Sequence, residues 1–255
     1  MKIASWNVNS IRVRMEHLLG FLKNDGIDVA LIQETKCIDE AFPKEFFEDE
    51  GYNVAIFGQK TYNGVAIMSK YPLEEVIKWN TPITDNQTEA RYIEALVNNG
   101  HTVASVYVPN GVDPLSPQYE YKLNFLDKLG KHIKKHDEKF IIGGDFNIAL
   151  TDEDVYAPDV WEGKICCTNK EREALNLIIS ECGLTDFMRK KYCNNEKIYS
   201  WWNYRANGFK RDLGLRLDYL FTTNDVNIID TYISKEVREM ARPSDHAPVV
   251  IELKD

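Results

Sequence analysis

Short apolar segments rich in β-branched residues recur along the chain, and this repetition limits the folds that it can adopt. Segments of about 4–8 residues with turn signals between them are typical of strands. They cover residues 3–8, 29–33, 53–57, 64–69, 92–97, 102–108, 140–143, 217–222 and 247–253. Asn99-Gly100 separates two of them and predicts a tight hairpin, which pairs its strands antiparallel. The sheets are therefore expected to be mixed rather than purely parallel.

Amphipathic helices are predicted between several of these strands. Capping signals mark their expected starts, at Ser10, at Ser116 followed by Pro117, and at Thr168 with Glu171 in a capping box. The acidic segment 151–164 is predicted to be a surface loop. Strands with intervening helices favour helices packed on sheets in layers.

The length of 255 residues suffices for one large core and predicts a single domain, 1–255. An apolar fraction of 44% with 28% charged residues is typical of a soluble globular protein. The N-terminus does not resemble a signal peptide, and no apolar run is long enough to cross a membrane. An odd number of cysteines without metal-ligand spacing favours reduced thiols and a cytoplasmic location.

The formal net charge of −9 argues mildly against a nucleic-acid partner, because such proteins usually carry a basic excess. However, several acidic residues grouped at one metal site would have part of their charge offset by the cation. A local basic rim could still guide a polyanion. Net charge therefore leaves nucleic-acid binding open.

Polar residues follow the predicted strands where an apolar core would end. Asn7 and Glu34 come at the ends of two early strands, and Asp145 and Asn147 lie in the tetrapeptide 144–147 after a third. Taken singly, Glu34 fits a salt bridge and the tetrapeptide fits a turn. Together, these carboxylates and amides suit magnesium-assisted attack of water on a phosphate ester.

Asp245 and His246 provide the one imidazole that we expect to act in catalysis. An adjacent aspartate can fix the imidazole tautomer and favour its protonated form. A protonated His246 would stabilise charge that develops on a phosphate, whereas the structural alternative is a histidine at a strand edge. The remaining histidines are predicted to be solvated surface residues: His17, His101, His132 and His136.

Three further polar residues are candidates from their positions in or after strands. Asp218 lies inside an apolar strand, where a carboxylate is costly unless it is paired. It is expected either to act at the site or to support it. Tyr107 and Asn110 close another strand and could hydrogen-bond phosphate oxygens, although a tyrosine there often serves packing alone.

These residues, in this order, resemble the exonuclease III family of apurinic/apyrimidinic endonucleases. The resemblance is carried by residues 3–9, 31–36, 62–66, 107–110, 144–147, 215–219 and 243–246. Many members of the wider endonuclease/exonuclease/phosphatase superfamily have a histidine where this chain has Tyr107. A tyrosine followed by Val-Pro-Asn is similar to the abasic-site branch.

The resemblance implies a four-layered α/β sandwich, in which two mixed β-sheets pack face to face with helices outside. It implies hydrolysis of the phosphodiester 5′ to abasic sites in double-stranded DNA, with 3′-to-5′ exonuclease and 3′-end-cleaning activity. The implied cofactor is Mg²⁺, with Mn²⁺ as an alternative and one or two ions. No membrane and no obligate protein partner are expected, and a monomer is the default.

The resemblance also implies roles for individual residues. The expected metal site comprises Asn7, Glu34, Asp145, Asn147, Asp245 and His246. The expected catalytic residues are Tyr107, Asp145, Asn147, Asp218 and His246. Whether Asp145 or a His246–aspartate pair is the general base stays open.

An abasic sugar must leave the helix, so the protein is expected to fill the gap and hold kinked DNA. The segment 200–211 offers aromatic wedges and cations for this purpose. With Asn110, the expected DNA contacts are Trp201, Trp202, Arg205, Phe209, Lys210 and Arg211. The alternative interpretation places the tryptophans in the core.

Two other functions compete with this hypothesis. The first is a phosphatase or phosphodiesterase for inositol phosphates or lipids, which Tyr107 and the aromatic loop disfavour. The second is a catalytically silent nucleic-acid-binding module. Retention of every expected acid, amide and histidine disfavours the silent module.

Overall fold

The computed structural model describes residues 1–79, 81–84, 87–97, 100–136, 138–193 and 196–254. In chain order its strands are β1 (Lys2–Asn7), β2 (Val29–Gln33), β3 (Asn53–Phe57), β4 (Val65–Ser69), β5 (Glu74–Lys78), β6 (Thr81–Thr84), β7 (Gln87–Glu89), β8 (Tyr92–Val97), β9 (His101–Tyr107), β10 (Phe140–Asp145), β11 (Leu184–Asp186), β12 (Trp201–Trp202), β13 (Gly214–Leu215), β14 (Asp218–Thr223), β15 (Ile228–Ile233) and β16 (Val249–Leu253). The helices are α1 (Ile11–Asn24), α2 (Lys44–Glu48), α3 (Pro117–Ile133), α4 (Pro158–Trp161), α5 (Asn169–Glu181) and α6 (Phe187–Lys191).

Two six-stranded sheets dominate the structure. The first has the order β15-β16-β1-β2-β4-β3, and the second has the order β11-β14-β10-β9-β8-β5. Within them β1 runs parallel to β2, β9 runs parallel to β10, and the other neighbouring strands are antiparallel. The expectation of mixed sheets is therefore confirmed.

The hairpin between β8 and β9 is present, with Val97 opposite His101. Asn99 of the predicted turn lies outside the described residues. Gly100 has a φ of +75°, a left-handed conformation that favours glycine. The strand pairing thus agrees with the hairpin predicted from the sequence.

Apolar residues on the inner faces of the two sheets form a common core. Ile3, Leu31 and Ile67 of the first sheet pack in one buried cluster with Val103 and Ile141 of the second. Helix α1 covers the outer face of the first sheet, and α3 and α5 cover the outer face of the second. This arrangement confirms the predicted four-layered α/β sandwich.

The helix starts follow two of the three capping predictions. The Ser116 hydroxyl accepts a hydrogen bond from the Tyr119 amide at 3.2 Å, and Thr168 forms the predicted capping box with Glu171. Helix α1 begins after Ser10 as predicted, but among the described residues the Ser10 side chain caps no amide of α1, so the predicted cap is wrong. Instead, the Ser10 amide donates to the Glu34 carbonyl oxygen at 2.8 Å.

The sequence analysis did not predict the strands that are short or polar. All side chains of β5 are exposed, and β11, β12 and β13 have only two or three residues each. Apolar periodicity is not visible over so few residues. In the described part of the chain, no helix has both the length and the apolar composition that crossing a membrane requires.

Candidate active site

The ends of four strands bring the predicted polar residues to one edge of the sandwich. In the first sheet, β1 ends at Asn7 and parallel β2 ends one residue before Glu34. In the second, Tyr107 and Asp145 lie opposite each other at the ends of parallel β9 and β10. Antiparallel β14 begins at Asp218, directly opposite Asp145. The strand topology therefore places residues from both sheets around Asp145.

Glycine at position 144 allows β10 to lie unusually close to β9. A Cβ atom at Gly144 would lie 1.9 Å from the Val106 carbonyl oxygen, a distance that no side chain tolerates. Asp145 is the next residue, so the close approach of β10 to β9 at Gly144 helps to set the direction of its carboxylate. Glu34 and Asn147 both adopt φ of 52°, so the chain turns sharply where each strand ends.

Asn7 connects the two sheets at this edge. Its Nδ2 donates to Glu34 Oε1 at 2.8 Å and to Asp145 Oδ2 at 2.9 Å. Its Oδ1 accepts a hydrogen bond from the Asn9 amide at 3.0 Å. Asn7 thus positions two carboxylates, and the second lone pair of its amide oxygen leaves the expected role as a metal ligand as a prediction.

Asp218 holds the imidazole of His246. Its Oδ2 lies 2.8 Å from His246 Nδ1, and His246 Nε2 lies 3.7 Å from Asp145 Oδ2. Burial alone would lower the pKa of His246, but Asp218 and then Asp145 raise this pKa to about 10. An imidazolium held in this way can stabilise negative charge, and metal ligation by His246 stays a prediction.

Ser200, which the sequence analysis missed as a site residue, supports Asp218. Its hydroxyl donates to Asp218 Oδ2 at 2.7 Å and accepts from the amides of Leu217 and Asp218, both at 3.0 Å. Ser200 is fully buried. It fixes the carboxylate that in turn orients His246.

Asp145 is buried among other acids. Burial raises its pKa, the charges of Asp218 and Glu34 raise it further, and His246 opposes them, so that the pKa lies at about 7. Asp145 Oδ1 accepts a hydrogen bond from the Asn147 amide at 2.9 Å. A carboxylate with a pKa near neutrality can accept a proton from water.

The acids at this edge can hold a divalent cation. One ligand atom each from Glu34, Asp145 and His246 lies within 4.8 Å of the other two. Lys36 Nζ lies 2.7 Å from Glu34 Oε2 and offsets only part of the negative charge. Carboxylate oxygens are preferred ligands of Mg²⁺, so Glu34 and Asp145 fit this ion.

Asp245 lies beside the group and is held by two donors. Its Oδ1 accepts from Asn9 Nδ2 at 2.9 Å, and its Oδ2 accepts from Trp201 Nε1 at 3.0 Å. Burial would raise the pKa of Asp245, but His246 and the Trp201 hydrogen bond lower it. Asp245 therefore stays ionised and links the acidic centre to the wall formed by Trp201.

Tyr107 lines the second-sheet side of the centre. The Arg91 guanidinium lies 4.9 Å from the centre of its ring. Burial, followed by the charge of Glu34, raises the Tyr107 pKa well above its usual value, so the hydroxyl keeps its proton and can donate it. This neutral donor suits a phosphate oxygen.

A buried lysine holds the two asparagines of the site. Asn110 Nδ2 donates to Asn147 Oδ1 at 3.1 Å. Lys122 Nζ donates to the carbonyl oxygens of Asn147 and Asn110, at 2.7 and 3.2 Å, and pairs with Glu171. The side chains of Lys122 and Glu171 are fully buried. Sequence analysis missed Lys122 because its helical position resembles those of solvated lysines.

A cavity of about 340 Å³ opens onto the acidic centre. One side is polar, and the other is formed by apolar side chains: Trp161, Ile165, Trp201, Leu215 and Leu217. The cavity therefore joins a charged floor to an apolar wall. Trp161 and Ile165 lie in the segment after residue 150. The sequence analysis missed them as site residues, because the only sign of them was an aromatic residue in an acidic stretch.

The aromatic loop divides into buried and exposed residues. Trp202 is fully buried, and its Nε1 donates to Asp212 Oδ1 at 3.0 Å, which removes it from the predicted DNA contacts. Phe209 is partly buried, with its ring 5.1 Å from that of Trp202. The loop's basic side chains are exposed: Arg205, Lys210 and Arg211. For Trp202, the core interpretation was the correct alternative.

Comparisons with known proteins agree with this geometry. Residues 4–246 match the model of the Endonuclease/Exonuclease/phosphatase family. The chain is 32% identical to exodeoxyribonuclease III of Haemophilus influenzae over the full length of both chains. It is also 32% identical to the exodeoxyribonuclease of Bacillus subtilis, over 98% of each chain.

Solved structures give the same result. A 3′ phosphatase from Neisseria bound to a product DNA hairpin is 34% identical, with a TM-score of 0.94 and full coverage of both chains. An AP endonuclease from Archaeoglobus fulgidus is 34% identical, with a TM-score of 0.93 and the same coverage. The chain thus belongs to the endonuclease/exonuclease/phosphatase family and is a hydrolytic nuclease of the exodeoxyribonuclease III type.

Proposed function

We propose that this DNA-repair nuclease hydrolyses the phosphodiester 5′ to abasic sites in double-stranded DNA and also trims 3′ ends. The observation that carries the proposal is the group of partly buried Glu34 with buried Asp145 and His246, whose ligand atoms lie within 4.8 Å of one another beside an apolar wall. The activities named for its relatives, exonuclease, 3′ phosphatase and AP endonuclease, support the choice of substrate.

Glu34 and Asp145 are the residues proposed to hold the metal, with Mg²⁺ as the ion and Mn²⁺ as a substitute. When bound, the ion supplies positive charge and Lewis acidity at the phosphate. Asn7 keeps the two carboxylates in place through its hydrogen bonds at 2.8 and 2.9 Å. Asp245, which lines the same cavity, is proposed to serve a second ion if one binds.

The chain's own residues are proposed to manage the proton and the developing charge. Asp145 orients the attacking water and accepts its proton, with its Oδ1 held by the Asn147 amide at 2.9 Å. His246, held as an imidazolium by Asp218, stabilises negative charge on the phosphate. The Tyr107 hydroxyl donates to a phosphate oxygen, and Asn147 and Asn110 contact the phosphate from the other side.

The cavity wall is proposed to receive the sugar that lacks a base. Trp161 and Trp201 offer apolar surface that a flipped abasic sugar can contact. Because the sugar carries no base, no base-pair hydrogen bonds are broken when it leaves the helix. The exposed cations Arg205, Lys210 and Arg211 are placed to contact phosphates of the flanking duplex. Arg205, which is exposed, or the partly buried Phe209 of the same loop is the candidate for insertion into DNA.

The chain is proposed to act as a single domain, 1–255, because one site draws on both sheets. The five cysteines, all among the described residues, are free, which supports a reducing compartment such as the cytoplasm. A monomer without an obligate protein partner remains the working assumption.

Incision of an end-labelled duplex with one tetrahydrofuran abasic analogue tests the function. This analogue cannot undergo lyase chemistry, so a single cut on its 5′ side that needs Mg²⁺ and stops with chelator is the expected result. Glu34→Gln should be nearly inactive. Hydrolysis of a soluble inositol or lipid phosphate instead of DNA would contradict the proposal, as would tight DNA binding without any cut.

A further inference from the structure

Two histidines and a glutamate form a group on the outer side of the second sheet. Glu94 lies on β8 opposite Ala104 of β9, three positions before Tyr107. His132 lies at the C-terminal end of α3, and His136 follows four residues later. The prediction that these histidines are solvated is wrong, because their side chains are only 15% and 22% exposed.

The ligand atoms of this group converge on one point. The Nε2 atoms of His132 and His136 lie 3.4 and 3.2 Å from Glu94 Oε2, and one ligand atom from each residue lies within 4.8 Å of the others. His132 Nε2 is buried, and in the part of the chain that the structure describes it faces Glu94 Oε2 at 3.4 Å without the geometry of a hydrogen bond. A buried nitrogen without a hydrogen bond is costly unless something occupies the space beside it.

Aromatic neighbours hold both imidazoles in place. The His132 ring stacks on Trp79 at 5.1 Å and meets Tyr92 edge-on at 5.0 Å. The His136 ring stacks on Phe140 at 4.3 Å, with the two ring planes parallel. These contacts fix the ring orientations in advance, so little side-chain freedom remains to be lost when a ligand binds.

The donor set identifies the class of ligand. Two imidazole nitrogens and one carboxylate oxygen are preferred by Zn²⁺ and related transition metals, whereas Mg²⁺ prefers oxygen alone. His132 lies in the last turn of α3 and His136 lies in the segment that follows it, and the fold brings both Nε2 atoms to Glu94. We propose that Glu94, His132 and His136 bind a divalent transition metal, foremost Zn²⁺, at a site separate from the candidate active site.

The role of such a site would be structural. The ion would join the C-terminal end of α3 to β8. It would thus link residues that are 35 or more positions apart in the sequence. The Tyr92 hydroxyl donates to Glu94 Oε2 and so orients the carboxylate from outside the ligand set. A water molecule would complete the coordination, as is common when a protein supplies three ligands.

The alternative interpretation is that Glu94 interacts with the two histidines without a metal ion. Burial raises the pKa of the Glu94 carboxyl, but the adjacent His132 and His136 side chains lower it, so the two imidazoles could hold the carboxylate without a metal. The two interpretations differ in whether the native protein takes up zinc through these side chains. Zinc stoichiometry is therefore the deciding measurement.

The test is calorimetric titration of the chelator-treated full chain with Zn²⁺, in saturating Mg²⁺ that occupies the candidate active site. We expect one zinc equivalent per chain, with affinity reduced at least about tenfold in His136→Gln and in His132→Gln. The matched control is His17→Gln, which removes a histidine from α1 and should bind like the wild type. Zinc should raise the Tm of the wild type and the control, but not of the two variants.

Two results would overturn the proposal. One is equal zinc affinity in the wild type and both cluster variants, and the other is the absence of zinc binding by the wild type. Binding lost only in Glu34→Gln would assign the zinc to the candidate active site instead. Circular dichroism and Tm without zinc show whether the variants fold, and unchanged Mg²⁺-dependent DNA incision by His136→Gln would separate this site from catalysis.

Discussion

Asp145 and Asp154 are both fully buried aspartates, yet their surroundings push their pKa values in opposite directions. Around Asp145, burial and the charges of Asp218 and Glu34 outweigh His246, and its pKa rises to about 7. Acidic groups outnumber cations at this centre. The carboxylate is therefore held in an environment that favours uptake of a proton or a cation.

Asp154 instead belongs to a balanced network. Arg216 Nε lies 2.7 Å from Asp154 Oδ1, Arg216 Nη1 lies 2.8 Å from Asp186 Oδ2, and Arg189 also pairs with Asp154. Burial would raise the pKa of Asp154, but the two guanidinium groups lower it. The prediction that the acidic segment 151–164 is a surface loop is wrong at Asp154, which is buried, and at α4 (Pro158–Trp161), which is helical.

The difference shows that the ratio of charges, rather than burial, separates a structural acid from a reactive one. A balanced cluster satisfies its own charges and stabilises the fold as long as no member is removed. An unbalanced cluster needs an external cation, which is what a metal-dependent hydrolase provides. Changes made to each cluster should therefore alter different properties of the protein.

Removal of the charge at the unbalanced centre should have the largest effect. Asp145→Asn is expected to reduce turnover by about 10³–10⁴-fold, because the proposed general base is lost. DNA affinity should change little, since Asp145 acts on the water and not on the duplex. Single-turnover incision and fluorescence anisotropy on the same abasic duplex measure the two quantities, and equal losses in both would contradict the assigned role.

Breaking the balanced network should affect stability instead. Arg216→Met leaves Asp154 and Asp186 without their shared partner and should lower the free energy of unfolding by about 3–5 kcal/mol. Urea denaturation monitored by fluorescence measures this loss. The folded fraction should still incise DNA at nearly the wild-type rate, and a rate loss without a stability loss would contradict the comparison.

Support for the unbalanced centre can be weakened without changing its charge. Ser200→Ala removes a donor to Asp218 and the acceptor of two backbone amides, which should cost about 1–3 kcal/mol of stability. Incision should slow because His246 is less well oriented. Ser180→Ala, at an exposed position of α5, is the matched control and should change neither quantity.

The smallest expected effect is a dependence on pH. Because the native pKa of Asp154 is lowered, its ion pairs stabilise the protein above the unfolded pKa of about 3.9 and cease to do so as pH falls through the native value. The difference in unfolding free energy between the wild type and Asp154→Asn should therefore shrink below about pH 4. Denaturation curves across this range measure it, and a constant difference would show that charge is not its source.

Local patterns allowed the sequence to predict much of the fold. The longer strands, the helix starts at Ser116 and Thr168, and the layered arrangement follow from periodicity and capping, which depend on neighbouring residues. The motif order also predicted that Asn7, Glu34, Asp145 and His246 would meet. These predictions held because each strand end presents its polar residue on the same edge.

Contacts between distant segments had to come from the tertiary structure. The sequence did not show that Lys122 supports Asn147, that Asp154 pairs with Arg216, or that His132 faces Glu94. Each partner lies 25 or more residues away, and a lysine or histidine on a helix looks solvated until the opposite surface is known. Burial and charge balance are properties of the assembled core, and they decided which acids are structural and which can react.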